Sequence, residues 1–146
     1  MAQALGVRLS RFLLDTNVVS ELRKPKPHGA VLAWLNAAGQ DDLLIPAVVL
    51  AELQTGAELT RVNDSGKALE IETWIERIAA TFQVLPMDGT CFREWARLIH
   101  GLSNTLREDA MIAATARVYG LTVATRNERD FRELDVRVFN PFRNSR

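Results

Sequence analysis

Three carboxylates in this chain could do chemistry together if the fold gathers them: Asp15, Glu52 and Asp109. Asp15 directly follows the apolar run Phe12-Leu13-Leu14 and opens the polar triplet Asp15-Thr16-Asn17. A side chain just past the carboxyl end of a buried strand faces the region where open parallel sheets bind ligands. The same residue also suits the N-cap of a helix beginning near Val18, and the sequence leaves both readings open. Glu52 interrupts the apolar stretch Val48-Val49-Leu50-Ala51-Glu52-Leu53, either on an exposed helix face or drawn to a partner. Asp109 precedes Ala110-Met111-Ile112-Ala113-Ala114-Thr115-Ala116, a small, uncharged run that must pack tightly. In the first turn of that helix Asp109 faces the positive end of the dipole, which favours its ionised form. Glu108 beside it reads as solvated.

Singly, each acid is ordinary. If the fold brings them together, their repulsion must be relieved by protonation or by a cation. Mg²⁺ and Mn²⁺ take oxygen ligands and keep part of their water, which suits phosphodiester hydrolysis. Zinc would want His clusters or Cys pairs, and the chain has one cysteine and two histidines. Cys91, at helical spacing among Phe92, Trp95 and Ala96, reads as a buried thiol and excludes an intramolecular disulfide. His28 follows Pro27 in a loop and His100 ends a helix, neither with a partner that marks a general base. Trp34, Trp74 and Trp95 read as packing residues rather than base-stacking platforms.

The elements that must position these acids alternate along the chain. Short strands are expected at 12–14, 43–45, 82–87, 121–124 and 136–139. Helices are expected from Val18 to the break at Lys24-Pro25-Lys26-Pro27, then over 30–38, 47–59, 66–80, 88–102 and 107–119. Asp88 reads as an N-cap, and Gly39 and Gly120 as C-terminal stops. The helix over 47–59 places Leu50, Leu53 and Ala57 on one side. The one over 66–80 is expected to turn Leu69, Thr73, Ile75 and Ile78 inward. Residues 103–106 read as the loosest internal piece. Regular alternation of this kind implies an α/β fold with a mainly parallel sheet covered on both faces.

A chain of 146 residues, 47% hydrophobic, fits one core. Residues 1–10 read as a short N-terminal extension, 11–142 as the domain and 143–146 as a tail. No export or membrane segment is visible, so a cytoplasmic location is expected. With 18 basic and 18 acidic residues the net charge is zero, so overall charge does not advertise nucleic-acid binding.

Four segments in order carry a resemblance. They are Phe12-Leu13-Leu14-Asp15-Thr16-Asn17-Val18-Val19-Ser20-Glu21, Ala51-Glu52-Leu53, Asp109 through Ala116, and Gly120-Leu121-Thr122-Val123-Ala124-Thr125-Arg126-Asn127. Together they resemble the successive motifs of the VapC toxins, PIN-domain ribonucleases of bacterial toxin–antitoxin pairs, across nearly the whole chain. Val138-Phe139-Asn140-Pro141-Phe142 is similar to the ending of the FitB-like branch. The resemblance implies a PIN-like α/β/α sandwich with an acidic site holding Mg²⁺ or Mn²⁺. It implies Asp15, Glu52 and Asp109 as catalytic and metal-holding residues. Thr16, Asn17, Thr125 and Asn127 would orient ligands and water. Where relatives often carry a fourth acid this chain has Asn127, so either Asp130 substitutes or the site keeps three acids. Arg23, Lys24, Arg126 and Arg129 flank the motifs as RNA-backbone contacts or solvated surface charges. The resemblance further implies an RNA substrate, a cognate antitoxin whose tail crosses the acidic cleft with an arginine, and a homodimer. Trp74, Ile75 and Ile78 suggest apolar surface for that dimer on the helix over 66–80, with the 47–59 helix as the other candidate.

Other readings fail at named residues or stay open. A haloacid-dehalogenase-type phosphatase needs an aspartate where Asn17 stands. A receiver-type signalling domain needs a late lysine, and none follows Lys67. A PIN-like module that has lost catalysis and only binds RNA or protein is kept open by Asn127.

Overall fold

The computed structural model describes residues 11–102 and 104–143. Strands β1 (Phe12–Leu14), β2 (Leu43–Pro46), β3 (Gln83–Leu85), β4 (Thr122–Ala124) and β5 (Val138–Phe139) form one sheet. Their order is β3-β2-β1-β4-β5, and every pairing is parallel. Leu13, Leu14, Ile45, Val123 and Ala124 are fully buried in its central strands. Burial on both faces is why these strands read as unbroken apolar runs without alternation.

The helices among the described residues are α1 (Thr16–Val19), α2 (Gly29–Ala37), α3 (Ala47–Arg61), α4 (Ser65–Thr81), α5 (Gly89–Ile99), α6 (Arg107–Tyr119) and α7 (Glu128–Arg132). None is long and apolar enough to cross a membrane. The chain runs outward from β1 through β2 to β3, then returns to β4 on the far side of β1 and continues to β5. Parallel crossovers are right-handed in nearly all proteins, so this reversal sends the two sets of helices to opposite faces. α3 packs along α4, and α5 along α6. The reversal point lies between β1 and β4, paired from Phe12–Thr122 to Leu14–Ala124. Crevices in open α/β sheets form at such a point, outside the carboxyl ends of the strands.

Local signals set the helix ends. The Asp88 carboxylate accepts from the Cys91 amide at 2.9 Å, capping α5. Gly120, at φ 68°, ends α6 in the left-handed conformation, where a side chain would be strained. α6 itself buries Ala110, Ile112, Ala113, Ala114, Thr115 and Ala116. Small residues let it approach its neighbours closely.

Several expectations need correction. α1 starts at Thr16, before Val18, because Asp15 serves as its cap, and a 3₁₀ turn Ser20–Arg23 completes the segment. The inner stripe of α4 is Ala68, Ile71, Trp74, Ile75 and Ile78, whereas Leu69 and Thr73 face out, Leu69 at 62% exposure. The observed stripe follows the 3.6-residue period against α3, and Leu69 lies nearly on the opposite face. Trp74, Ile75 and Ile78 are each no more than 8% exposed, so the monomer itself covers the apolar surface expected to serve a dimer. The third and fifth strands shrink to Gln83–Leu85 and Val138–Phe139, and α5 stops at Ile99. Residues Asn104–Leu106, expected to be loose, form a 3₁₀ turn. α7 was not expected. The extension over 1–10, Ser103 and the last three residues lie outside the described residues.

Candidate active site

Asp15 occupies the first position past β1. Its amide continues the β1–β4 pairing with a bond to the Ala124 carbonyl at 3.0 Å, which fixes where its side chain starts. Thr125 holds the equivalent position past β4, its amide bonded to Phe139 O at 3.0 Å. The Thr125 hydroxyl donates to Asp15 Oδ2 at 2.7 Å, and Asn17 Nδ2 donates to the same oxygen at 3.1 Å. Asp15 Oδ1 accepts from the Thr16 amide at 2.7 Å, so the cap and site readings of this residue are compatible. Asn17 Oδ1 accepts from the Arg126 amide at 3.1 Å, stitching the two strand ends together. Asp15 is only 4% exposed, and burial raises its pKa despite three hydrogen bonds that pull it down.

Glu52 lies in the second turn of α3, half-buried. The Thr16 hydroxyl donates to its Oε1 at 2.5 Å, so one residue pair links α1 to α3. Of the two readings open for Glu52, the exposed face is therefore not the one adopted. Burial raises its pKa, with the charges of Asp15 and Glu108 adding to the effect. Asp109, in the first turn of α6, is half-buried and its pKa is pushed up to about 7. Burial is the first cause, followed by the charges of Asp15, Asp130, Glu52 and Glu108. The helix dipole, expected to keep Asp109 ionised, is outweighed. A macrodipole acts as about half a charge at its end, while Asp109 feels several full negative charges and partial burial.

Asp130, on α7, lies close enough for its charge to add to the upward shift of Asp109. Asn127 is exposed and enters the site through its backbone, its amide donating to Thr125 Oγ1 at 2.9 Å. The four acids share one electrostatic space, yet among the described residues no three acidic, histidine or cysteine side chains close on a point as a ready cation cage. The donor set nonetheless fits a hard, partly hydrated cation. It is all oxygen, and among the described residues the acids form no ion pair with lysine or arginine. Mg²⁺ retains several waters, so carboxylates can serve it without touching one another's first shell.

Two further buried acids escaped the reading of the sequence. Glu21 accepts from Lys24 Nζ at 2.5 Å and the His28 amide at 2.8 Å. Glu128 holds Arg132 at 2.7 Å, Arg143 at 2.9 Å and Asn140 Nδ2 at 2.7 Å. The spacings Glu21–Lys24 and Glu128–Arg132 were a visible signal for both. Glu128 and its partners tie the chain's end to α7, and the Arg126 guanidinium lies 3.8 Å over the Phe142 ring.

Comparison with known proteins agrees with this geometry. The PIN-domain family model matches residues 12–137. The toxin FitB of Neisseria gonorrhoeae is 37% identical over 137 residues, covering 89% of this chain and 97% of FitB. A protein of Sinorhizobium fredii named VapC ribonuclease Y4jK is 33% identical over 135 residues, covering 89% and 96%. The crystal structure of FitAcB from Neisseria gonorrhoeae superposes with a TM-score of 0.79 at 35% identity, covering 91% of this chain and 99% of that one. A continuous parallel sheet, acids gathered at its reversal point and similarity along nearly the full length lead to one assignment: this chain belongs to the PIN-domain family, on the branch that holds the FitB and VapC toxins.

Proposed function

We propose that this protein is the toxin of a type II toxin–antitoxin pair and acts as a metal-dependent endoribonuclease on RNA phosphodiester bonds. The observation that carries the reading is a cluster of carboxylates that, among the described residues, has no cationic partner at the sheet's reversal point. Relatives named as VapC ribonucleases support the substrate class. Asp15, Glu52 and Asp109, with Asp130 as the fourth, are the residues proposed to hold Mg²⁺ or Mn²⁺. When bound, the ion would offset their charge and supply Lewis-acid stabilisation to the departing oxygen. The chain's own groups do the positioning. Thr125 and Asn17 fix Asp15, and Thr16 fixes Glu52. Without a cation, Asp109 relieves the repulsion by keeping a proton near neutral pH.

Residues 11–142 are taken as the catalytic domain, working in the cytoplasm where RNA is its substrate. A nuclease loose among cytoplasmic RNA harms its host, so a cognate antitoxin belongs to the proposal. A homodimer does too. Its apolar contact would involve Leu59 and Val62, exposed at 69% and 80% near the α3–α4 turn, in place of the buried α4 stripe.

The test incubates purified, partner-free protein with labelled RNAs of several sequences in chelator, Mg²⁺ or Mn²⁺. Cleavage is expected with either ion and is expected to vanish in chelator. A folded, metal-loaded protein that cleaves none of them would favour the second reading, a non-catalytic PIN-like module binding RNA or protein. The neutral Asn127 is the observation behind that alternative.

A further inference from the structure

Two depressions on one side of the acid cluster form a single groove. The nearer, of about 490 Å³, starts at Thr16 and Glu52 and runs past Arg23, Lys24 and Lys67 to Trp74. The farther, of about 840 Å³, continues through Arg23, Lys67 and Trp74 to Leu69 and Arg77. Arg23, Pro25, Lys67 and Trp74 line both.

Among the described residues, the cations divide into those held by a carboxylate and those without one. Arg61, Arg97, Arg117, Arg132 and Arg143 are each within salt-bridge distance of a carboxylate. Among the described residues, Arg23, Lys67 and Arg77 have no such partner, and all three are exposed. Lys24 is held by Glu21, and Glu70 is the acid on the far wall. A chain of zero net charge thus leaves a row of uncompensated positive charge on one wall system, beginning where the carboxylates end.

We propose that this groove carries the backbone of single-stranded RNA away from the cleavage site, with Arg23, Lys67 and Arg77 each meeting a phosphate. The proposal rests on the ribonuclease reading and adds the path of the strand. Continuity with Glu52 favours RNA over an acidic peptide, since the strand whose phosphate reaches the acids must leave along an adjoining wall. Trp74 is 8% exposed, so no aromatic platform reads bases there. Binding along the groove is therefore insensitive to sequence and driven by counterion release, at about 0.7 of salt slope per phosphate contact on a single strand.

The test uses the full chain carrying Asp109→Asn in chelator, so that binding is measured without cleavage. Labelled single-stranded RNA is titrated against this protein, against the same protein with Arg23→Ala, Lys67→Ala and Arg77→Ala, and against it with Arg93→Ala. Arg93 is an exposed arginine on α5 that lines neither depression. The triple variant is expected to bind roughly tenfold more weakly, with a log–log salt slope flatter by about 2. Arg93→Ala is expected to change neither quantity. Circular dichroism melts check that the three surface changes leave folding intact. Equal weakening by Arg93→Ala would overturn the proposal, reducing the effect to overall charge. Unchanged RNA affinity in the triple variant, with lost binding of a poly-glutamate peptide, would also overturn it and assign the groove to an acidic segment. Either result would leave the cleavage assay untouched, and a failed cleavage assay would leave this binding measurable.

Discussion

Asp15 and Glu128 are both nearly withdrawn from solvent, at 4% and 9% exposure, yet their surroundings treat charge in opposite ways. Hydrogen bonds from the Asn140 amide and then Arg132 hold the Glu128 pKa below the usual carboxylate range, and one from Lys24 does the same for Glu21. Among the described residues Asp15 receives only neutral donors, and its neighbours Glu52 and Asp109 are also acids. All three are pushed upward. The paired acids use ion pairs to pin loops: Glu21 the turn leading to His28, Glu128 the chain after β5. The unpaired acids are left with an unmet demand for positive charge that the described residues do not supply. Such a demand disfavours the folded state and is the physical mark of a place kept for a ligand.

That contrast can be broken, starting with its strongest consequence. Asp15→Asn and Asp109→Asn should each reduce metal-dependent RNA cleavage by at least about 100-fold, since even groups that merely orient ligands cost 10–100-fold. Calorimetric titration with Mn²⁺ should show the same loss, and equal affinity in wild type and both variants would end the metal assignment. Thr125→Val comes next, at roughly 10–100-fold, because it removes the hydroxyl that fixes Asp15 Oδ2. Thr125→Ser should restore most of the rate, which a purely packing role for the methyl group would not explain. Asp130→Ala should impair cleavage measurably but less than Asp109→Ala. A rate indistinguishable from wild type across a Mg²⁺ titration would remove Asp130 from the site. On the paired side, Glu128→Gln should leave cleavage intact but cost about 1–3 kcal/mol of stability in denaturant melts, through a buried acceptor poorly matched to its donors.

The smallest effect is also the sharpest discriminator. The Asp109 pKa is about 7 in the folded chain against an ordinary 3.8. Well below the ordinary 3.8 both states are protonated and the group is neutral toward folding. As pH rises toward 7 the unfolded chain ionises first, so stability falls through that window. Glu21 and Glu128 have the opposite sign. Their contribution is complete above the ordinary 4.5 and is lost only as pH drops below it. Melting temperatures of metal-free protein from pH 5 to 8 should therefore decline more steeply in wild type than in Asp109→Asn, and added Mn²⁺ should raise them most at pH 8. Identical slopes in the two proteins would mean that Asp109 does not feel its neighbours.

How much of this was legible varies with the range of the interaction concerned. The strand around Leu13 and Leu14, the cap at Asp88 and the stop at Gly120 each follow from a few adjacent residues, because periodicity, capping and left-handed geometry are local. The α4 face was misread because Leu69 and Thr73 stand near apolar neighbours, and only packing against α3 decides which stripe is covered. Glu52 shows the same limit: its sequence neighbours allow an exposed face, and the Thr16 hydroxyl, 36 residues away in the chain, draws it inward.

The sequence by itself determined an α/β chain with a parallel sheet, an oxygen-only set of acids in motif order, and a cysteine and tryptophans given to packing. Tertiary structure alone decided that β1 and β4 are neighbours across the point where the chain reverses. It also decided that Asp15 and Thr125, 110 residues apart, meet at 2.7 Å, and that the helix dipole at Asp109 loses to burial and converging like charges. The reason is that electrostatic energy depends on distance and burial, and a linear order of residues specifies neither until the sheet has closed the gap.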